Sequence, residues 1–200
     1  MPPWTVILGV LWFLGLALGI SVLWTGPAGA LWLPTSRRVV RQMLYLADVQ
    51  PGETVYDLGS GDGRVLFIAA REFGARAVGI ELDPLRYLWT RLWIALLGLR
   101  GQVRVVLGNF FNQDVSEANV IVTYLVPKAQ KKLMFKLWRE LAPGSRVVSS
   151  IFVYPGWEPR HVDRKAHLFL YDVAEYHKEY VRSLPAGEES AQTSTTEHPS

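Results

Sequence analysis

Asp57-Leu58-Gly59-Ser60-Gly61-Asp62-Gly63-Arg64 decides how the rest of the chain is read. It overlaps Thr54-Val55-Tyr56-Asp57-Leu58, which predicts a first strand, and it leads into a helix predicted over Gly63–Phe73. Glycines at 59, 61 and 63 let the backbone lie directly against a ligand, while the helix behind them presents N-terminal N–H groups. A dinucleotide-binding turn, GxGxxG, would place Gly at position 64, where this chain has Arg64. A diphosphate would also meet the like charges of Asp57 and Asp62.

Downstream segments alternate in the same way. Strands are predicted at 77–80, 103–107, 120–124 and 146–150, with helices over 84–97, capped by Asp83 and opened by Pro84, and over 128–141. Segments 168–173 and 176–182 are expected to close the domain as a terminal strand pair, an antiparallel hairpin. This order predicts an α/β fold with a mostly parallel sheet covered on both faces. Glu81, at the end of the second strand, can accept both hydroxyls of a ribose, and Gly108-Asn109-Phe110-Phe111 after the third offers an amide and rings to an adenine. A nucleoside carrying an ammonium, a carboxylate and a sulfonium suits the turn better than a diphosphate does. S-adenosylmethionine is such a ligand, and the expected contacts within the turn include Ser60, Gly61 and Gly63.

The chain has 200 residues, no cysteine, 50% hydrophobic residues and a net charge of +3, which excludes disulfide scaffolds and Cys-ligated zinc. Much of the apolar excess lies in residues 4–24, a charge-free stretch from Trp4 to Trp24 whose helical length of roughly 32 Å matches a bilayer core of ~30 Å. We expect residues 1–3 to precede a transmembrane helix over 4–24, a linker over 25–36, a catalytic domain over 37–184 and a disordered tail over 185–200. Arg37, Arg38 and Arg41 are the first charged side chains, which places the domain in the cytoplasm of a single-pass membrane protein. A cleaved signal peptide ending near Ala28-Gly29-Ala30 is the competing expectation, weakened by the absence of any Lys or Arg before the apolar run. Gly15 and Gly19 form GxxxG, through which two such helices could pair into a homodimer. The tail's three glutamates account for the step from +6 over residues 1–184 to +3 overall, too mild a charge for a nucleic-acid-binding stripe. His161, His167 and His177 lack ligand spacing, so no metal is expected.

With these residues in place, the sequence resembles class I S-adenosylmethionine-dependent methyltransferases over residues 34–182. More narrowly, Leu33-Pro34-Thr35, residues 39–44, 56–64 and 79–84, and Val153-Tyr154-Pro155-Gly156-Trp157-Glu158-Pro159 resemble the membrane-anchored protein lysine methyltransferases that act on the ATP synthase c-subunit or the adenine nucleotide carrier. That resemblance implies methionine-moiety contacts at Thr35, Asp57 and Gly59, a ribose contact at Glu81 and adenine contacts at Asn109 and Phe110. It also implies a lysine on a membrane protein as acceptor.

For the acceptor, the segment after the fourth strand reads Thr123-Tyr124-Leu125-Val126-Pro127, unlike the Asn-Pro-Pro-Tyr pattern of adenine-directed enzymes. Tyr124 and Trp157 are expected to line an aromatic acceptor channel, with Phe110 and Tyr154 beside them; each could equally be a core aromatic. A small lipid-soluble acceptor, such as a quinone or lipid head group, and a non-catalytic cofactor-binding scaffold are the alternatives. Finally, the helix over 85–97 is apolar nearly all round. If Leu85, Leu88, Leu92 and Leu96 face the sheet, Trp93 and Leu97 lie outward with Arg86 and Thr90, where they could rest on lipid.

Overall fold

The structure is a computed structural model that describes residues 35–183 and, nearer the N-terminus, residues 4–6, 8, 9, 12 and 15, which are helical. Most of the expected span 4–24, including Gly19, therefore lies outside the described residues, as does the tail from 184. Among the described residues no helix is long and apolar enough to cross a membrane.

In chain order the elements are α1 (Arg37–Leu46), β1 (Thr54–Leu58), α2 (Arg64–Phe73), β2 (Arg76–Glu81), α3 (Pro84–Leu96), β3 (Val103–Leu107), β4 (Val120–Thr123), α4 (Pro127–Glu140), β5 (Arg146–Ser150), β6 (His161–Asp163), β7 (Leu168–Asp172) and α5 (Glu175–Ser183), with a 3₁₀ turn at Phe110–Asn112. The seven strands form one sheet in the order β3-β2-β1-β4-β5-β7-β6. β1 to β5 run parallel, while β7 is antiparallel to both β5 and β6. The order reverses at β1, which pairs with β2 on one side and β4 on the other, so a crevice opens at the C-terminal ends of these strands.

Alternate residues of the strands feed two cores. Val55, Val120, Val122 and Val148 pack with Val40, Met43 and Leu44 of α1, Leu66 and Ala69 of α2 and Ile94 of α3. Tyr56, Leu58, Ile80, Ile121 and Val147 pack on the opposite face with Leu133, Leu137 and Trp138 of α4. α1 begins at Ser36, whose Oγ accepts the Val39 N–H, and ends on Arg146, whose guanidinium donates to the Ala47 and Asp48 carbonyls at 2.7 and 2.9 Å.

Two expectations fail. Residues 176–182 belong to helix α5, and the hairpin partner of β7 is β6. His177 and Val181 are four residues apart, a helical spacing; His177 stacks on Trp138 at 4.6 Å, and its Nδ1 accepts the Ala174 N–H, supplying one half of a capping box. The second failure is the rotation of α3. Thr90 and Ile94 are its buried residues, whereas Leu85, Leu88, Leu92 and Leu96 are exposed. Thr90 wins the inner face because its Oγ1 donates to the Gly61 carbonyl at 3.1 Å and its methyl group fills the space that glycine leaves at position 63.

Candidate active site

The glycine turn joins β1 to α2 at the reversal of strand order. Register places Asp57 between Gly79 of β2 and Val122 of β4. The backbone then turns back on β2, with the Gly59 and Ser60 N–H groups donating to the Ile80 carbonyl at 2.9 and 3.1 Å. Gly63 caps α2 with φ 78°, and a Cβ there would stand 2.7 Å from Thr90 Cγ2 and 3.0 Å from Phe67. The turn thus needs glycine both for its dihedral and for its contact with α3. Ser60 Oγ is buried without a hydrogen-bond partner.

Three acids meet here in different states. Asp57 is buried, and loss of hydration, followed by the nearby charges of Glu81 and Asp62, pushes its carboxyl up to about 8. Burial also raises Glu81, opposed by the two backbone N–H groups that hold it: Gly61 at 2.7 Å and Asp83 at 2.9 Å. Each oxygen of Glu81 therefore has one fixed donor and lone-pair capacity for one more. Asp62 is lowered in spite of its burial, because Arg64 bonds to it through Nε at 2.8 Å. Arg64 also donates to the Thr35 carbonyl, which fastens the segment before α1 to the turn.

Asn109 is exposed and accepts the Phe111 N–H at 3.0 Å, while the Phe110 and Phe111 rings lie 4.5 Å apart. Asn109 and Phe110 follow β3, next to Glu81, because the Gly108 N–H donates to the Glu81 carbonyl at 2.8 Å. Thr35, Asp57, Gly59, Ser60, Gly61, Gly63 and Glu81 are thereby gathered at one end of the sheet, with Asn109 and Phe110 alongside. The orphaned buried Ser60 hydroxyl, the open space beside Gly59 and two buried acids, Asp57 and Glu81, suited to an amine and a ribose together fit S-adenosylmethionine.

The aromatic residues divide. Tyr124 is half-buried at the end of β4, its ring 6.5 Å from that of Phe152. Trp157 does not line an opening: it is 5% exposed and packs on Trp138, Tyr154, Tyr171 and His177. The turn at Gly156, φ 79°, brings the chain back inward and turns that expectation into core packing. Tyr154 is likewise buried; its hydroxyl donates to Thr123 Oγ1 at 3.2 Å, and burial pushes the phenol well above its ordinary range.

Three polar residues near this end had no sequence signal as a group. Gln130 of α4 donates to Ser149 Oγ at 2.6 Å and to the Phe152 carbonyl at 3.1 Å, and Ser149 donates to the same carbonyl at 2.6 Å. They hold a tight turn in which Phe152 N–H bonds the Ser150 carbonyl and Ile151 takes φ 69°. Thr90 is the third, which the sequence reading of the helix set on the outward side.

A strand order that reverses at a glycine turn, with a ribose-type acid on β2 and an antiparallel β7, defines a class I S-adenosylmethionine-dependent methyltransferase. The sequence family described as the ANTKMT methyltransferase domain matches residues 57–161, and the chain belongs to that family. It is 42% identical over 132 residues to a protein-lysine N-methyltransferase of Saccharolobus islandicus, covering 66% of this chain and 82% of that protein. It is 30% identical to the lysine N-methyltransferase of the ATP synthase c-subunit from Xenopus laevis, over 74% of this chain and 65% of that protein. Among solved structures, it is similar to an RNA methyltransferase from Salinibacter ruber in complex with S-adenosyl-L-homocysteine, with TM-score 0.69, 41% identity, and coverage of 72% of this chain and 95% of that one.

Proposed function

We propose that this methyltransferase transfers the methyl group to a lysine of a membrane-associated protein and is itself anchored by residues 4–24, with its domain on the cytoplasmic side. The observation that carries the lysine assignment is the 42% identity to a protein-lysine N-methyltransferase over most of that protein's length. The charge-free stretch 4–24, followed by Arg37, Arg38 and Arg41, supports the anchor. Tyr124, half-buried after β4, is the aromatic residue we assign to the acceptor in place of the buried Trp157.

Bound in the turn, S-adenosylmethionine supplies an electrophilic methyl group on a sulfonium. The protein's part is to position and to exclude water. Asp57 would hold its cationic amine and Glu81 its sugar, through oxygens already aligned by Gly61 and Asp83, while the rings of Tyr124 and Phe152 border the ends of β4 and β5. An amine brought against such rings loses hydration, which favours its neutral, nucleophilic form.

The name of the Salinibacter protein favours a second acceptor, RNA. Incubating membranes and total RNA with a methyl-labelled donor separates the two. Label on a lysine, mapped by mass spectrometry, is the expected result; label confined to RNA or to a solvent extract of lipids would refute the lysine assignment.

A further inference from the structure

Helix α3 is apolar on two sides, and among the described residues only one of them is covered. Thr90 and Ile94 are buried, but Leu85, Leu88, Trp89, Leu92 and Leu96 are between 48% and 66% exposed. Their spacing makes a continuous stripe along three turns of the helix. A contiguous exposed stripe of this kind marks a contact surface.

The surroundings say what it contacts. Beside the stripe lies a groove of about 410 Å³ between α1, α2 and α3, where Trp89 and Trp93 meet Arg37, Arg41 and Arg71. Arg91 stands on the exposed side of α3 itself, 3.1 Å from the Tyr87 hydroxyl. Within it Glu72 is paired with Arg41 and Asp62 with Arg64, which leaves Arg37 and Arg71 as the excess positive charge. An apolar stripe edged by tryptophan and arginine matches the boundary of an anionic bilayer: acyl chains for the leucines, the interface for the rings, phosphate for the guanidiniums. A second copy fits less well, because a twofold pairing would set one arginine rim against the other.

Chain length points the same way. Twelve uncharged residues, 25–36, separate Trp24 from Arg37, and fully extended they reach only about 45 Å. Since Arg37 lines the groove next to Trp89, this side of the domain is the one tethered nearest to residues 4–24.

We infer that the outer face of α3, Leu85, Leu88, Trp89, Leu92 and Leu96, lies in the head-group boundary of an anionic membrane and orients the catalytic domain on it. The inference rests on the proposed membrane anchor. Because α3 starts directly after Glu81 and Asp83, docking through this face holds the cofactor end of the sheet beside the bilayer. An acceptor lysine would then be presented at the membrane surface rather than far out in the cytosol.

The absence of cysteine allows single-site labelling of the full chain. Leu92→Cys and, as a control on the exposed N-terminal edge of the sheet, Glu117→Cys are labelled with an environment-sensitive fluorophore and mixed with vesicles of phosphatidylcholine and phosphatidylglycerol. The expected result is co-flotation of both, with a blue shift and quenching by nitroxide-headgroup lipid at position 92 alone. Co-flotation with the position-92 label still in water would overturn the docked face while leaving the anchor intact. Absence of co-flotation would contradict the anchor, and the docked face with it. Lipid-independent protection of the label that grows with protein concentration would assign the face to a second copy and reject the membrane.

Discussion

The charge of Asp57 is decided by its neighbours rather than by its own chemistry. The DxGxGxG spacing places its carboxylate at the turn, but its state depends on Glu81 and Asp62, which only folding brings near. The sign of its effect follows. A folded value raised to about 8 makes the ligand-free chain lose stability as pH rises from about 4 towards 8, because the unfolded chain gives up its proton first. A cationic ligand amine favours the ionised carboxylate, so binding releases a proton. Calorimetry should therefore show the affinity for S-adenosylhomocysteine rising between about pH 6 and 7.5, by at most about tenfold per unit, and Asp57→Asn should bind more weakly with no such slope. The glycines differ among themselves in the same instructive way. At Gly59 a Cβ meets nothing within 4 Å, so Gly59→Ala carries only the positive-φ penalty of about 1–2 kcal/mol. Gly63→Ala adds a clash with Thr90 and Phe67 to that penalty, and thermal unfolding should rank it clearly below Gly59→Ala. Thr90 was missed because a lone hydroxyl in a leucine-rich helix does not announce what it touches.

Strands β1 to β5 were legible because buried parallel strands are uninterrupted β-branched runs bounded by turn residues, as in Val120–Thr123. Two elements near the C-terminus were not: β6, His161–Asp163, is only three residues long, and the helical register of Glu175–Ser183 is fixed by contact with α4, not by its own pattern. Helix α3 misled for a related reason: leucines on one side and Thr90 with Ile94 on the other give a phase that only the glycine turn resolves. Burial pushes the His177 imidazole below its ordinary range. Its contribution is therefore complete above about pH 6.5 and is lost as pH falls through the folded-state value, where the buried ring must take up a proton. As pH falls from about 7 to 5 this loss opposes the gain that Asp57 gives, so His177→Gln, which can still accept the Ala174 N–H but does not titrate, should gain more in melting temperature over that interval than the unsubstituted chain.

Over the whole molecule, the order of elements already implied the doubly covered sheet, while the face that α3 leaves exposed depended on its rotation. The anchor expectation concerns residues mostly beyond those described, and it is tested on the intact protein. Alkaline washing should leave the full chain in the membrane, and a chain in which Leu8, Leu11, Leu14 and Leu18 become Lys should be released. Arg64 joins the two ends of this arrangement, since its guanidinium holds Asp62 of the glycine turn and the Thr35 carbonyl at once. Occupancy of the turn is therefore expected to steady the segment at Thr35 through this one side chain. Filling the turn with S-adenosylhomocysteine should slow trypsin cutting after Arg37 and Arg38, and Arg64→Gln should be cut equally fast with and without it. The cleavage pattern of the leash would then report, from outside, whether the enzyme is loaded.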